Sequence, residues 1–148
     1  MIPRPTLKKL ISKRLIDAKV LLNNRRYFAS IYIAGYALEL TLKYRITKLM
    51  KFSRGFPENK YEYNEYHSDT AKSILRTAIR DLSDIRHHNL PGLLHYSGEQ
   101  VNVETNYSSE WNYVKGWNPA MRYTNPIIRK QRAQDFLKYT RSIINGIL

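Results

Sequence analysis

The side chains with chemical capacity are few and unevenly placed. Glu39 stands near the middle of a long apolar run, residues 27 to 50. A carboxylate there must be hydrogen-bonded, paired or protonated, because a lone buried charge is very costly. Arg14, within the apolar stripe of the preceding segment, and Arg122, far along the chain, are its candidate partners; Glu39 and Arg14 are read as structural buried charges. The histidines stand at 67, 87, 88 and 95, and there is no cysteine. Their number and spacing do not suit a metal site, so neither metal nor cofactor is expected. His88 reads either as a cap or hydrogen-bonding residue or as an acid–base catalyst. Arg122 reads either as an anchor for its connector or as a phosphate ligand. Glycine-rich phosphate loops and a Gly-x-Ser-x-Gly elbow are absent from the sequence.

Helical segments must position these residues. Pro3 and Pro5 make residues 1 to 5 a short tail, and Thr6 is a fair N-cap for a helix to about Asn24. Leu7, Leu10, Ile11, Leu15, Ala18, Leu21 and Leu22 form its apolar stripe. Asn23-Asn24 signals a tight turn into a second helix over 27–50. Phe28, Ile31, Tyr32, Gly35, Leu38, Leu42, Ile46 and Leu49 fall on one face of it. Ile33, Tyr36, Ala37, Leu40 and Tyr44 form a second apolar sector, suited to a second subunit.

Residues 51 to 69 read as a long loop, and a third helix is expected from about 70 to 87, with Ala71, Ile74, Leu75, Ala78, Leu82 and Ile85 inward. Pro91 and Gly92 end it, before a short helical piece through Tyr96. Residues 97 to 126 lack a sustained period and contain Trp111 and Trp117; the reading is an ordered, aromatic-anchored connector, with partial flexibility as the alternative. A last helix over about 127–147 turns Ala133, Phe136, Leu137, Ile143, Ile144 and Ile147 inward. The expected architecture is one all-α domain over 1–148, a four- to five-helix up-and-down bundle with a long aromatic-rich crossover before the last helix.

Charge adds a partner class. The 148 residues carry a formal net charge of +13. Residues 1 to 51 hold twelve Lys or Arg against two acids, residues 52 to 110 six against nine, and residues 111 to 148 seven against one. Two basic ends flank a mildly acidic middle. Clustered positive charge attracts polyanions, RNA or DNA above all; a solvated surface or an acidic protein partner is the alternative. Twelve tyrosines beside many arginines suit base stacking, although half of them lie at core spacing. The absence of cysteine fits a reducing, cytoplasmic home, and Glu39, Lys43 and Arg45 argue against a membrane span in the most apolar stretch.

Four segments resemble the HEPN (higher eukaryotes and prokaryotes nucleotide-binding) family. Tyr27-Phe28, Gly35-Tyr36-Ala37-Leu38-Glu39 and Leu42-Lys43 are similar to its second-helix signature, and Ala18, Leu21-Leu22 and Arg25-Arg26-Tyr27 to its first helix and turn. His88-Asn89-Leu90 with Leu93-Leu94 resembles its His-Asp-Leu segment, and Trp117 with Arg122-Tyr123 a late Trp and Arg-Tyr element. The resemblance implies a helical bundle, commonly dimeric, in toxin–antitoxin, antiphage and RNA-processing systems, and many members are metal-independent RNases. Their motif is an Arg, four to six residues, then His, paired across a dimer.

Arg80 and His87 fit that spacing, and a polar Asp81 follows the Arg. On a helix they would share a face about 10 Å apart along the axis. The start of the last helix, where catalytic members often place the motif, offers Arg122 to Ile128 and no histidine. The expected function is therefore a non-catalytic binding or accessory subunit of a defence or toxin–antitoxin system. The alternative is a metal-independent endoribonuclease using Arg80 and His87 in a composite dimer site. Ligand or partner contacts are expected at Lys43, His88, Arg122 and Tyr123; the partners are a second copy or another subunit, RNA, or an acidic protein, with no membrane.

Overall fold

The computed structural model describes residues 1–66, 79–124 and 126–148. The chain is an all-α bundle whose helices, among the described residues, are α1 (Arg4–Asn23), α2 (Tyr27–Leu49), α3 (Lys60–Asn64), α4 (Leu90–Ser97), α5 (Gln100–Asn106), α6 (Ser108–Val114) and α7 (Lys130–Ile147). Helix α2 is central and packs against α1, α4 and α7. Three packed neighbours explain why it is apolar on so much of its circumference. Ile31, Leu38, Leu42 and Ile46 are buried, whereas Ile33, Tyr36, Leu40 and Tyr44 are half-buried. All six inward positions expected on the last helix are buried on α7.

Helix α1 starts two residues before Thr6, which is not its cap. Proline lies in its first turn, where a missing backbone N–H leaves no intrahelical bond unmade. The first residues are also not a free tail, since Ile2 and Phe56 exchange backbone hydrogen bonds of 2.8 and 2.9 Å. The α1–α2 turn closes with Arg26 N–H donating to Leu21 C=O at 2.8 Å and Arg25 N–H to Leu22 C=O at 3.1 Å. Arg25 takes φ 60 to allow this, the left-handed closure of a Schellman turn that glycine usually occupies.

The stretch read as a long loop contains α3, capped by the Asn59 side chain, and it buries Phe52, Phe56, Tyr63 and Tyr66. Those aromatics belong to the core, which holds the segment against α2. Most of the third helix expected over 70–87 lies outside the described residues, and so does His67. Its last part is not α-helical. Asp81 is extended, φ −143, and Asp81 with Asp84 caps a 3₁₀ turn, Leu82–Asp84. These side-chain bonds to backbone N–H groups compete with helix continuation. Leu82 and Ile85 are nevertheless buried. Pro91 and Gly92 belong to the first turn of α4, which Asn89 caps through Gly92 N–H at 2.8 Å. The aromatic-anchored connector is ordered into α5, α6 and a 3₁₀ turn, Pro119–Tyr123, with Trp111 and Trp117 buried. No helix among the described residues is long and apolar enough to cross a membrane.

Candidate functional site

Glu39 projects from the middle of α2 and is 3% exposed. Its Oε1 accepts from Lys43 Nζ at 2.7 Å, one helical turn on, and the Lys43 side chain is itself only 11% exposed. Its Oε2 lies 2.9 Å from His88 Nδ1. An ionised carboxylate only accepts, so Nδ1 carries the donated proton. The His88 ring is 56% exposed, and its Nε2 has no hydrogen-bond partner among the described residues. A buried carboxylate thus orients an imidazole whose outer nitrogen faces solvent. That nitrogen can accept a proton or a hydrogen bond from a ligand.

Neither expected arginine holds Glu39. Arg14 bonds Asp17 at 3.3 Å within α1, and at 37% exposed it is not a buried charge. Three residues of helical spacing bring that acid to it, so no long-range partner is required. Arg122 is exposed and donates to Tyr32 Oη at 3.2 Å and to Tyr123 Oη at 2.8 Å. It therefore does anchor its connector, but to Tyr32 of α2. Tyr32 Oη lies 3.4 Å from Tyr36 Oη. That bond first and Arg122 second favour the Tyr32 phenolate and lower its pKa. Burial first, then Tyr32, pushes Tyr36 up to about 12. The Tyr36 ring stands edge-on to both His88 and Trp117, with centroids 6.1 and 5.0 Å away.

Arg80 and His87 do not share a helix face, because no helix runs through them. The Arg80 guanidinium is exposed, and among the described residues only its backbone N–H is engaged, with Asp84 Oδ2 at 2.8 Å. Both His87 nitrogens are held by backbone. Nε2 donates to Asp84 C=O at 2.8 Å, and Nδ1 accepts from Asn89 N–H at 3.1 Å. This fixes a neutral ring that staples the turn, with neither nitrogen available to a substrate.

A cavity of about 420 Å³ opens beside Glu39 between α1, α2 and the segment before α4. Leu10, Ile33, Leu40 and Phe56 supply its apolar wall, and Arg14, Lys43 and Arg86 its cations. On the other flank of α1 lies a second feature. Two adjoining depressions of about 470 and 420 Å³ share Lys19, Leu22 and Gln134 along the α1–α7 seam. Lys19, Arg25, Lys130, Lys138 and Arg141 line them, and among the described residues no carboxylate does. Packing α1 against α7 fuses the two basic ends of the chain into one groove. The sequence signal for it was the scarcity of acids at both ends; the signal for the Glu39–Lys43 pair was an acid and a lysine four apart. Arg86 carried no signal.

No protein-family model matches the chain, and neither does any curated protein or solved structure.

Proposed function

We propose that this bundle is a non-catalytic, HEPN-like accessory subunit that binds RNA through the α1–α7 groove, in a system of the toxin–antitoxin or antiphage kind. The observation that carries the reading is the carboxylate-free lining of that groove by five cations. Like charges lining a common groove repel one another, and the repulsion is relieved when a polyanion enters. Lys130 to Arg141 spans about 16 Å along α7, a linear track that suits successive phosphates better than the scattered carboxylates of a folded acidic protein. The backbone clamp on His87 supports the non-catalytic part of the reading.

The test is fluorescence anisotropy with a single-stranded RNA oligonucleotide across a salt series. Five contacts set a log–log slope of about −3.5, at about −0.7 per phosphate neutralised. Lys138→Ala or Arg141→Ala should each make the slope shallower by about 0.7, while Arg80→Ala leaves it unchanged. Binding that ignores salt or both substitutions would sink the proposal. Competition by polyglutamate equal to that by RNA would point to an acidic protein instead.

One observation favours a second reading, the metal-independent endoribonuclease. His88, with its free Nε2 and its Glu39 partner, is built as a general base in a way that His87 is not. On that reading RNA cleavage is lost in His88→Ala and kept in His87→Ala.

A further inference from the structure

We propose that the cavity beside Glu39 is a binding site for a small amphipathic monocarboxylate, its apolar body against Leu10, Ile33, Leu40 and Phe56 and its carboxylate on Arg86 and Arg14. The volume of about 420 Å³ lies within the usual range for small-molecule sites and equals roughly fourteen water volumes. It is separate from the basic groove, since Leu10 and Arg14 lie on one flank of α1 and Lys19 and Leu22 on the other.

Charge selects the ligand. The lining holds three cations, Arg14, Lys43 and Arg86, and two carboxylates, Glu39 and Glu58. Both carboxylates are engaged: Glu39 by Lys43 and His88, and Glu58 by the Met1 ammonium at 3.0 Å. Lys43 is pinned to Glu39. Arg86 forms no ion pair or side-chain hydrogen bond among the described residues, and Arg14 has only its 3.3 Å contact with half-exposed Asp17. With Glu39 set against Lys43, Glu58 against Met1 and Asp17 against Arg14, the charge left over is that of Arg86, beside an apolar wall and with the Arg14 guanidinium on the same cavity. One carboxylate balances it and matches the planar guanidinium fork. A phosphate dianion would overcharge the site. An amine would meet Arg86 and Arg14 with the wrong sign.

The experiment titrates the full ¹⁵N-labelled chain with decanoate below its micellar concentration, with decanol and decylamine in parallel. Decanoate should give saturable shifts at the Ile33 and Leu40 amides, decanol should bind at least tenfold more weakly, and decylamine should not bind. Arg86→Gln, at an exposed position where folding is not at stake, should weaken decanoate about tenfold. Leu40→Trp, which fills the cavity from a half-buried site, should abolish binding while leaving the circular dichroism spectrum unchanged. Saturable binding of none of the three probes would overturn the site. Equal binding of decanoate and decanol, or a wild-type response in Arg86→Gln, would overturn the charge assignment.

Discussion

His88 and Glu39, 49 positions apart in the chain, meet with Nδ1 2.9 Å from Oε2. The pairing ties the segment before α4 to the middle of α2, and with Lys43 it neutralises an acid inside the bundle. Glu39, more deeply buried than Glu99, is thus also what aims the half-exposed His88 imidazole.

The Glu39 pairing has a measurable energy. Glu39→Ala strands the Lys43 ammonium, 11% exposed, without its carboxylate. Removing one partner of a buried ion pair costs about 3 kcal/mol. The Glu39→Ala, Lys43→Met double variant, which removes both charges, should recover most of that loss. Urea unfolding of the three proteins reads both values, and a Glu39→Ala midpoint equal to wild type contradicts the pairing.

The two adjacent histidines should differ in tautomer. His87 holds its proton on Nε2, toward Asp84 C=O, and His88 on Nδ1, toward Glu39. Long-range ¹H–¹⁵N spectra of the imidazoles near neutral pH distinguish the two forms. Should both rings report the same tautomer, one of the two assignments fails.

Gly35 lets Trp117 lie directly against α2, and a β-carbon there would stand only 2.1 Å from the indole ring. In an exposed helix interior, alanine for glycine stabilises by about 1 kcal/mol. Here Gly35→Ala should instead destabilise by about 3 kcal/mol, through overpacking that displaces the connector. Tryptophan fluorescence during thermal unfolding tests this, and a raised melting temperature would refute it.

Alkaline pH should expose Tyr36. Its phenol, pushed up to about 12, stays protonated in the folded chain, whereas the unfolded chain ionises it near its ordinary 10. An acid raised on folding contributes stability that is whole below about pH 10 and is lost as pH climbs towards 12. Tyr32, with its pKa lowered, works in the opposite sense. Melting temperatures between pH 9 and 12 should therefore fall less steeply in Tyr36→Phe than in the wild type. An unchanged slope would mean that burial does not hold that proton.

The fold was more legible than the site. Helices α1, α2 and α7 announce themselves because each buries a stripe at helical spacing, a local property of 18 to 23 residues. Helices α5 and α6 are seven residues each and too short to show a period. Tyr63 and Tyr66 sit among acids in sequence yet are buried, because what covers them comes from other segments. Arg80 and His87 have a spacing that suits a helix, but Asp81 and Asp84 spend their carboxylates capping a 3₁₀ turn between them.

The sequence by itself determined the all-α class, the long helices and their inward residues, a buried acid at Glu39 in need of a partner, and an excess of positive charge at both ends. Each of these depends on residue type and local spacing. Tertiary structure alone decided that His88, not Arg14 or Arg122, joins Lys43 on Glu39, and that the basic ends converge in one groove beside α1. Those outcomes depend on which helix faces cross and which side chains reach across the crossing, and no local pattern records them.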